Sequence, residues 1–249
     1  MSPETRQFAE VRLWWLDLSD PSPEDYALLD PSEQQQAARF VQDIHRHRYI
    51  AAHAGLRQIL ATETQQNAAQ LRFRTGVQGK PALAGQGPCF NLSHSDAVGL
   101  VAVCDDAPVG IDLEPIRWLD DWTGMLAQIG SPEEQRAFAA LTDEEERATA
   151  FFRLWTRKEA LLKAAGCGLM EDPRTVTVGL DAAPQRNVSF LRHLWQVVDL
   201  AVLSPYAAAV AVAADQPRLV WKKRHSLDQT RGFDLTMLQC SSIMSQTAE

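Results

Sequence analysis

No C-x-x-C pair occurs in this 249-residue chain. Its four cysteines, Cys89, Cys104, Cys167 and Cys240, stand at irregular spacing. That excludes a zinc ribbon and offers no disulfide framework, so reduced thiols are expected. A basic excess is missing as well: 24 Lys and Arg against 32 Asp and Glu give a formal net charge of −8. A general nucleic-acid binder is thereby disfavoured, and no nucleic-acid partner is expected. Long apolar runs are absent; the longest small-residue stretch, residues 207–214, falls far short of the roughly 20 residues that span a bilayer. The first residues show no basic region leading into an apolar one, so neither a signal peptide nor a membrane partner is expected, and the expected location is cytoplasmic. Neither G-x-S-x-G nor H-E-x-x-H appears, which removes the usual signatures of α/β-hydrolases and zinc proteases. What is present is an ordinary globular composition, 45% hydrophobic and 22% charged, long enough for one large domain or two modest ones.

Periodicity organises the rest. Residues 11–18 are β-branched and aromatic enough for a strand, which Asp20-Pro21-Ser22-Pro23 ends. Residues 32–60 read as helix, with a break near Asp43. Short strands are expected around 71–73, 89–92, 98–103 and 109–113. Ser131-Pro132-Glu133-Glu134 starts a helix, and a further helix over 151–165 halts at Gly166-Cys167-Gly168. Strands are expected again over 175–180, 194–203 and 207–213. Helices and strands thus recur in both halves, and the fold class is α+β. Two subdomains are expected, residues 1–116 and 117–223, followed by a loose tail over 224–249.

An acidic chain that handles a phosphorylated ligand must gather its cations in one place. In Val109-Gly110-Ile111-Asp112-Leu113-Glu114, strand alternation puts Val109, Ile111 and Leu113 on one face and Asp112 and Glu114 on the other. Two carboxylates about 7 Å apart can share a hard cation with phosphate oxygens, or simply mark a solvated strand end. Over residues 151–165 a helix aligns Phe151, Leu154, Trp155, Leu161, Leu162 and Ala165. Lys158 falls in the middle of that stripe, and Glu159 and Lys163 lie at its edge, one turn apart. A lysine among core positions must meet an anion, either a ligand or an internal carboxylate. The density of Arg153, Arg157, Lys158 and Lys163 keeps the ligand reading open. Arg48 likewise lies inside the face made by Ile44, Ala51, Gly55 and Ile59, where it could clasp a phosphate or a buried carboxylate. His45, His47 and His53 read as surface residues. Gly79-Lys80-Pro81 sets a cation between a flexible and a rigid residue. Ser93 and His94, in Asn91-Leu92-Ser93-His94-Ser95, are donors for phosphate oxygens; neighbours on a strand face opposite ways, so they make a poor nucleophile pair.

Taken in order, Gly79-Lys80-Pro81, Phe90-Asn91-Leu92-Ser93-His94-Ser95, Val109-Gly110-Ile111-Asp112-Leu113-Glu114 and Trp155-Thr156-Arg157-Lys158-Glu159-Ala160-Leu161-Leu162-Lys163 resemble the Sfp-type phosphopantetheinyl transferases. The resemblance spans roughly residues 35–180. It implies a pseudo-dimer of two similar α+β halves with the active site at their junction. It implies coenzyme A as donor, an apo acyl or peptidyl carrier protein as acceptor, and Mg2+. By matching position, Asp112, Glu114 and Glu159 would be the metal ligands. Gly79, Lys80, Pro81, Ser93, His94, Lys158 and Lys163 would contact phosphate or pyrophosphate, and Arg48 the adenosine 3′-phosphate. Glu159, Lys163 and His94 would carry catalysis, with Glu159 as base or as ligand only. One departure is visible: well-known members carry lysines where this chain has Glu33-Gln34-Gln35-Gln36, which shifts the 3′-phosphate grip onto Arg39, Arg46 or Arg48. A chain with both halves in hand is expected to complete its site as a monomer.

Overall fold

The computed structural model describes residues 6–76, 78–183 and 185–223. The expected tail, with Cys240, lies outside the described residues. The first half runs β1 (Arg6–Asp17), α1 (Pro23–Leu28), α2 (Pro31–Ala37), α3 (Asp43–Thr64), the short strands β2 (Phe73–Thr75) and β3 (Pro81–Leu83), then β4 (Cys89–Ser95) and β5 (Val98–Cys104). The second half runs β6 (Val109–Pro115), α4 (Trp122–Ile129), α5 (Pro132–Ala139), α6 (Glu144–Ala165), then β7 (Gln185–Phe190), β8 (His193–Asp199), β9 (Tyr206–Val212) and β10 (Ala214–Trp221). Each half is a long helix followed by a sheet, the α+β pairing anticipated from the sequence.

Local chemistry accounts for the helix ends. Ser131 caps α5 in a reciprocal box with Glu134, and Asp30 caps α2 in the same way with Glu33. Gly166 ends α6 in the left-handed region, at φ 68°. The expected break near Asp43 falls between α2 and α3. A third box, Ser22 with Asp25, opens α1, where the sequence had suggested only the end of a strand.

Two four-stranded sheets carry the halves. One has the order β10-β1-β5-β4, the other β6-β9-β8-β7. Neighbours are antiparallel except for β1 and β10, which run parallel. Sheet membership crosses the boundary expected at residue 116. β6 precedes that point yet joins the second sheet, and β10 lies at the far end of the chain yet lines the first. Pleat alternation makes the first sheet two-faced: Trp14, Leu16 and Leu18 pack under α3, whereas Ala9, Val11 and Leu13 join the core built on α6, β6 and β9. The two halves therefore share one apolar interior. None of the helices among the described residues is long and apolar enough to cross a membrane.

The strand expected over 175–180 does not form. Its alternating Val176 and Val178 are buried, but the backbone around them bonds to side chains in place of a neighbouring strand. Lys158 takes the carbonyls of Pro173 and Val176, Arg157 those of Val178 and Gly179, and Glu134 the amides of Val178 and Gly179. These bonds hold the segment in place without a strand ladder.

Candidate active site

The site lies where the two sheets abut. β4 and β6 sit side by side without a backbone ladder between them, so their side chains close the seam. Asn91 Oδ1 accepts the Ile111 amide at 2.8 Å, Ser93 Oγ donates to Asp112 Oδ1 at 2.9 Å, and Ser95 Oγ reaches Glu114 Oε2 at 3.5 Å. Residues 91, 93 and 95 share one face of β4, which is why three successive contacts are made. Asn91 and Ser95 had been given no role; polar residues at every second position of an otherwise buried strand were the signal that pointed to them.

α6 completes the seam from below. Gly110 is what lets it approach: a Cβ there would stand 2.2 Å from the Ala160 carbonyl oxygen and 2.3 Å from the Ala164 nitrogen. That close contact brings Lys163 over β6, where Nζ lies 2.5 Å from Asp112 Oδ1 and 3.2 Å from Ser93 Oγ. Asp112 is only 3% exposed, and its second oxygen, Oδ2, has no partner. Glu114 and Glu159 flank it. Burial first, and the Asp112 charge second, push both carboxyls above the usual glutamate range, against the pull of Lys163. Among the described residues no three His, Cys, Asp or Glu side chains are gathered closely enough to hold a metal unaided. Magnesium is commonly held by one or two carboxylates with water and substrate phosphates, so it needs no closed protein cage. The orphaned Asp112 oxygen beside two crowded carboxyls suits such an ion.

On the first half, His94 follows Ser93 on β4 and stands exposed. Its imidazole is held below the usual value by desolvation, then by the positive charge of His53, Lys163 and Arg48. Arg48 reaches Asp96 at 3.5 Å and keeps a buried Nε without a partner. Arg46 pairs with Asp43, and Arg39 donates to Gln36. A cleft of about 460 Å³ beside them is lined by Pro21, Tyr26, Arg46, His47 and Ile50. His53 is not the surface residue its sequence suggested. It is half-buried, stacks on Tyr49 at 4.0 Å and bonds Glu33, which also holds the buried Arg57.

Two expected phosphate contacts are engaged elsewhere. Lys158 is 2% exposed; its ammonium meets Glu134 at 2.8 Å and the carbonyls of Pro173 and Val176. All three donors are used, so the anion demanded by its core position is internal and no donor is left for a phosphate. Arg153 and Arg157 share Asp199, which leaves Lys163 as the member of that helical cluster that faces the seam. Lys80 likewise spends two donors on backbone, the carbonyls of Val109 at 2.8 Å and Ala164 at 3.1 Å. It clasps the end of α6, where a last-turn carbonyl lacks a helical partner, to the start of β6. Gly79, at φ 90°, and Pro81, at the start of β3, shape the turn that delivers it.

Burial lowers the Lys80 ammonium to about 8. The folded chain thus gives up this proton before the unfolded chain does, and between about pH 8 and the ordinary lysine value the group's contribution to stability rises with pH, by at most about 1.4 kcal/mol per unit. Urea unfolding of Lys80→Met at pH 8 and pH 10 is expected to lack that upward component, and to show lower stability than wild type at both values because two carbonyls lose their donor.

The profile of the 4′-phosphopantetheinyl transferase superfamily matches residues 108–211, the stretch that supplies β6, α6 and the second sheet. The 4′-phosphopantetheinyl transferase HetI of Nostoc sp. is 34% identical over 213 residues, covering 82% of this chain and 88% of HetI. AcpT of Salmonella typhimurium is 34% identical over 52% of this chain and 65% of its own, and Sfp of Bacillus subtilis 27% over 57% and 62%. With a likeness to HetI that runs across both halves and the seam between them, the chain belongs to the 4′-phosphopantetheinyl transferase superfamily.

Proposed function

We propose that this enzyme transfers the 4′-phosphopantetheine arm of coenzyme A to a serine hydroxyl of an apo acyl or peptidyl carrier protein, with Mg2+, releasing adenosine 3′,5′-bisphosphate. The observation that carries the reading is Asp112: a buried carboxylate with one free oxygen, set between Lys163, Ser93 and two crowded glutamates at the junction of the halves.

Asp112, Glu114 and Glu159 would hold the magnesium, which when bound supplies positive charge to the diphosphate. The chain's own residues do the rest. Lys163 and His94 donate to the oxygens on which charge develops as the bisphosphate leaves, and Ser93 keeps Lys163 and Asp112 in register. Arg48, with a donor unspent, suits the 3′-phosphate; Arg46 and His47 line the adjoining cleft. A serine hydroxyl is a weak nucleophile and needs a base within reach. Glu159 would take that proton, a role supported by a carboxyl that burial raises above the usual glutamate range. Gly79, Lys80 and Pro81 act as the frame of the site.

Intact-mass measurement of a carrier protein tests the proposal. Apo carrier incubated with the enzyme, coenzyme A and magnesium is expected to gain the mass of the arm, and EDTA is expected to abolish the gain. Loss of the arm from holo carrier would instead mean hydrolysis, and no change in either direction would reduce the protein to a binding module.

A further inference from the structure

Lys158 and Glu134 form a buried ion pair that the transfer chemistry leaves unused. Both are almost completely buried, and neither is confined to its own element. Lys158 holds the carbonyls of Pro173 and Val176, while Glu134 takes the amides of Val178 and Gly179 from one oxygen and that of Ser131 from the other. The chain leaves α6 at Gly166, makes a single turn over Gly168–Met170, and doubles back to be fastened by Lys158 beside Glu159. Its apex carries Met170, 80% exposed. Buried Cys167 anchors the near end of this turn to α6, its amide and thiol both directed at the Leu162 carbonyl.

From this arrangement we infer that Lys158 and Glu134 are positioning residues for the acceptor: they latch residues 173–179 against α6, and so set the 168–172 apex as the surface against which the carrier protein presents its serine. The inference rests on the functional reading above. Its directional argument is geometric. Displacement at phosphorus brings nucleophile and leaving group in on opposite sides. The groups suited to the leaving bisphosphate, Arg48 and His94, stand on α3 and β4 of the first half, whereas the latched segment belongs to the second half and is tied to Lys158, the neighbour of Glu159 along α6.

The test uses the full chain. Glu134→Gln/Lys158→Met removes the donors to Pro173 and Val176 without stranding a buried charge. Amide exchange over residues 168–179 is expected to quicken, and the KM for apo carrier to rise about tenfold or more while the KM for coenzyme A stays within about twofold. Met170→Glu, at an exposed position that leaves the latch intact, is expected to show the same split even where the double variant folds poorly. Equal rises in both KM values, or an unchanged carrier KM in Met170→Glu, would overturn the acceptor role. Unchanged exchange in a folded double variant would overturn the latch. A wild-type enzyme that transfers no arm would sink the functional reading and the acceptor role together, and the exchange comparison would still judge the latch on its own.

Discussion

Glu159→Gln is expected to cut the rate of arm transfer by about 10²-fold or more while leaving the protein at least as stable as wild type. The two effects have opposite sign for one reason. Glu159 is held near Asp112 in a partly buried place, and burial together with that neighbouring charge already penalises its carboxylate. Glutamine keeps the volume, removes the charge and relieves the repulsion, so thermal unfolding should occur at the same temperature or a higher one. Activity suffers because an amide neither accepts the serine proton nor binds a hard cation well. Magnesium titration separates the two roles. A variant whose residual rate needs more metal has lost a ligand; one with lower kcat at unchanged metal demand has lost a base. Full transfer rate in Glu159→Gln would end both assignments.

The largest effect on stability is expected at Arg157, three turns into α6. Its side chain is fully buried, grips Asp199 with Nε and Nη2 at 2.7 and 2.9 Å, and supplies the carbonyls of Val178, Gly179, Asp181 and Ala183. Five N–H donors on one planar group, one of them shared between two acceptors, fix a stretch of backbone that has no strand partner. Arg157→Lys keeps the charge but offers three donors from a single point, which leaves several carbonyls unpaired. A loss of about 3–5 kcal/mol in urea unfolding is expected, and Arg157→Met should be no milder. A change below about 1 kcal/mol in either variant would mean that water replaces these bonds freely and that the segment is not anchored as described.

Arg157 and Lys158 also mark where sequence reasoning stopped. Periodicity identified Lys158 as a cation on a buried stripe, and Arg157 drew notice only as part of a dense run of cations; neither reading could say what met them. Their partners, Asp199 and Glu134, lie in other elements, and no local spacing links them. Residues 175–180 misled for a related reason: alternating Val176 and Val178 describe two-sided burial, which a strand and a side-chain-tethered loop satisfy equally. β10 escaped notice because Asp215, Gln216 and Pro217 are poor strand formers; it is tolerated at a sheet edge, where one side of the backbone needs no partner. By contrast β5, β6, the start of α5 and the C-terminal end of α6 were legible, since their signals sit within a few residues of the structure they produce, whereas α6 begins at Glu144, ahead of the 151 read from its apolar stripe. Asp112, Ser93 and Lys163 were named from their motifs and meet at the seam. Lys80 and Lys158 were drawn from the same motifs, and both ammonium groups turn to backbone carbonyls. A motif marks a position; what the side chain there touches is settled by packing.

The trade of β6 for β10 between the sheets has a consequence for how the molecule holds together. Cutting the chain at the boundary expected at residue 116 would hand neither piece a whole sheet: the first would lack β10 beside β1, and the second would lack β6 beside β9. The lobes are thus interlocked like exchanged arms in a swapped dimer, but within one polypeptide. Melting is then expected to be all-or-none, with both lobes lost in a single calorimetric transition.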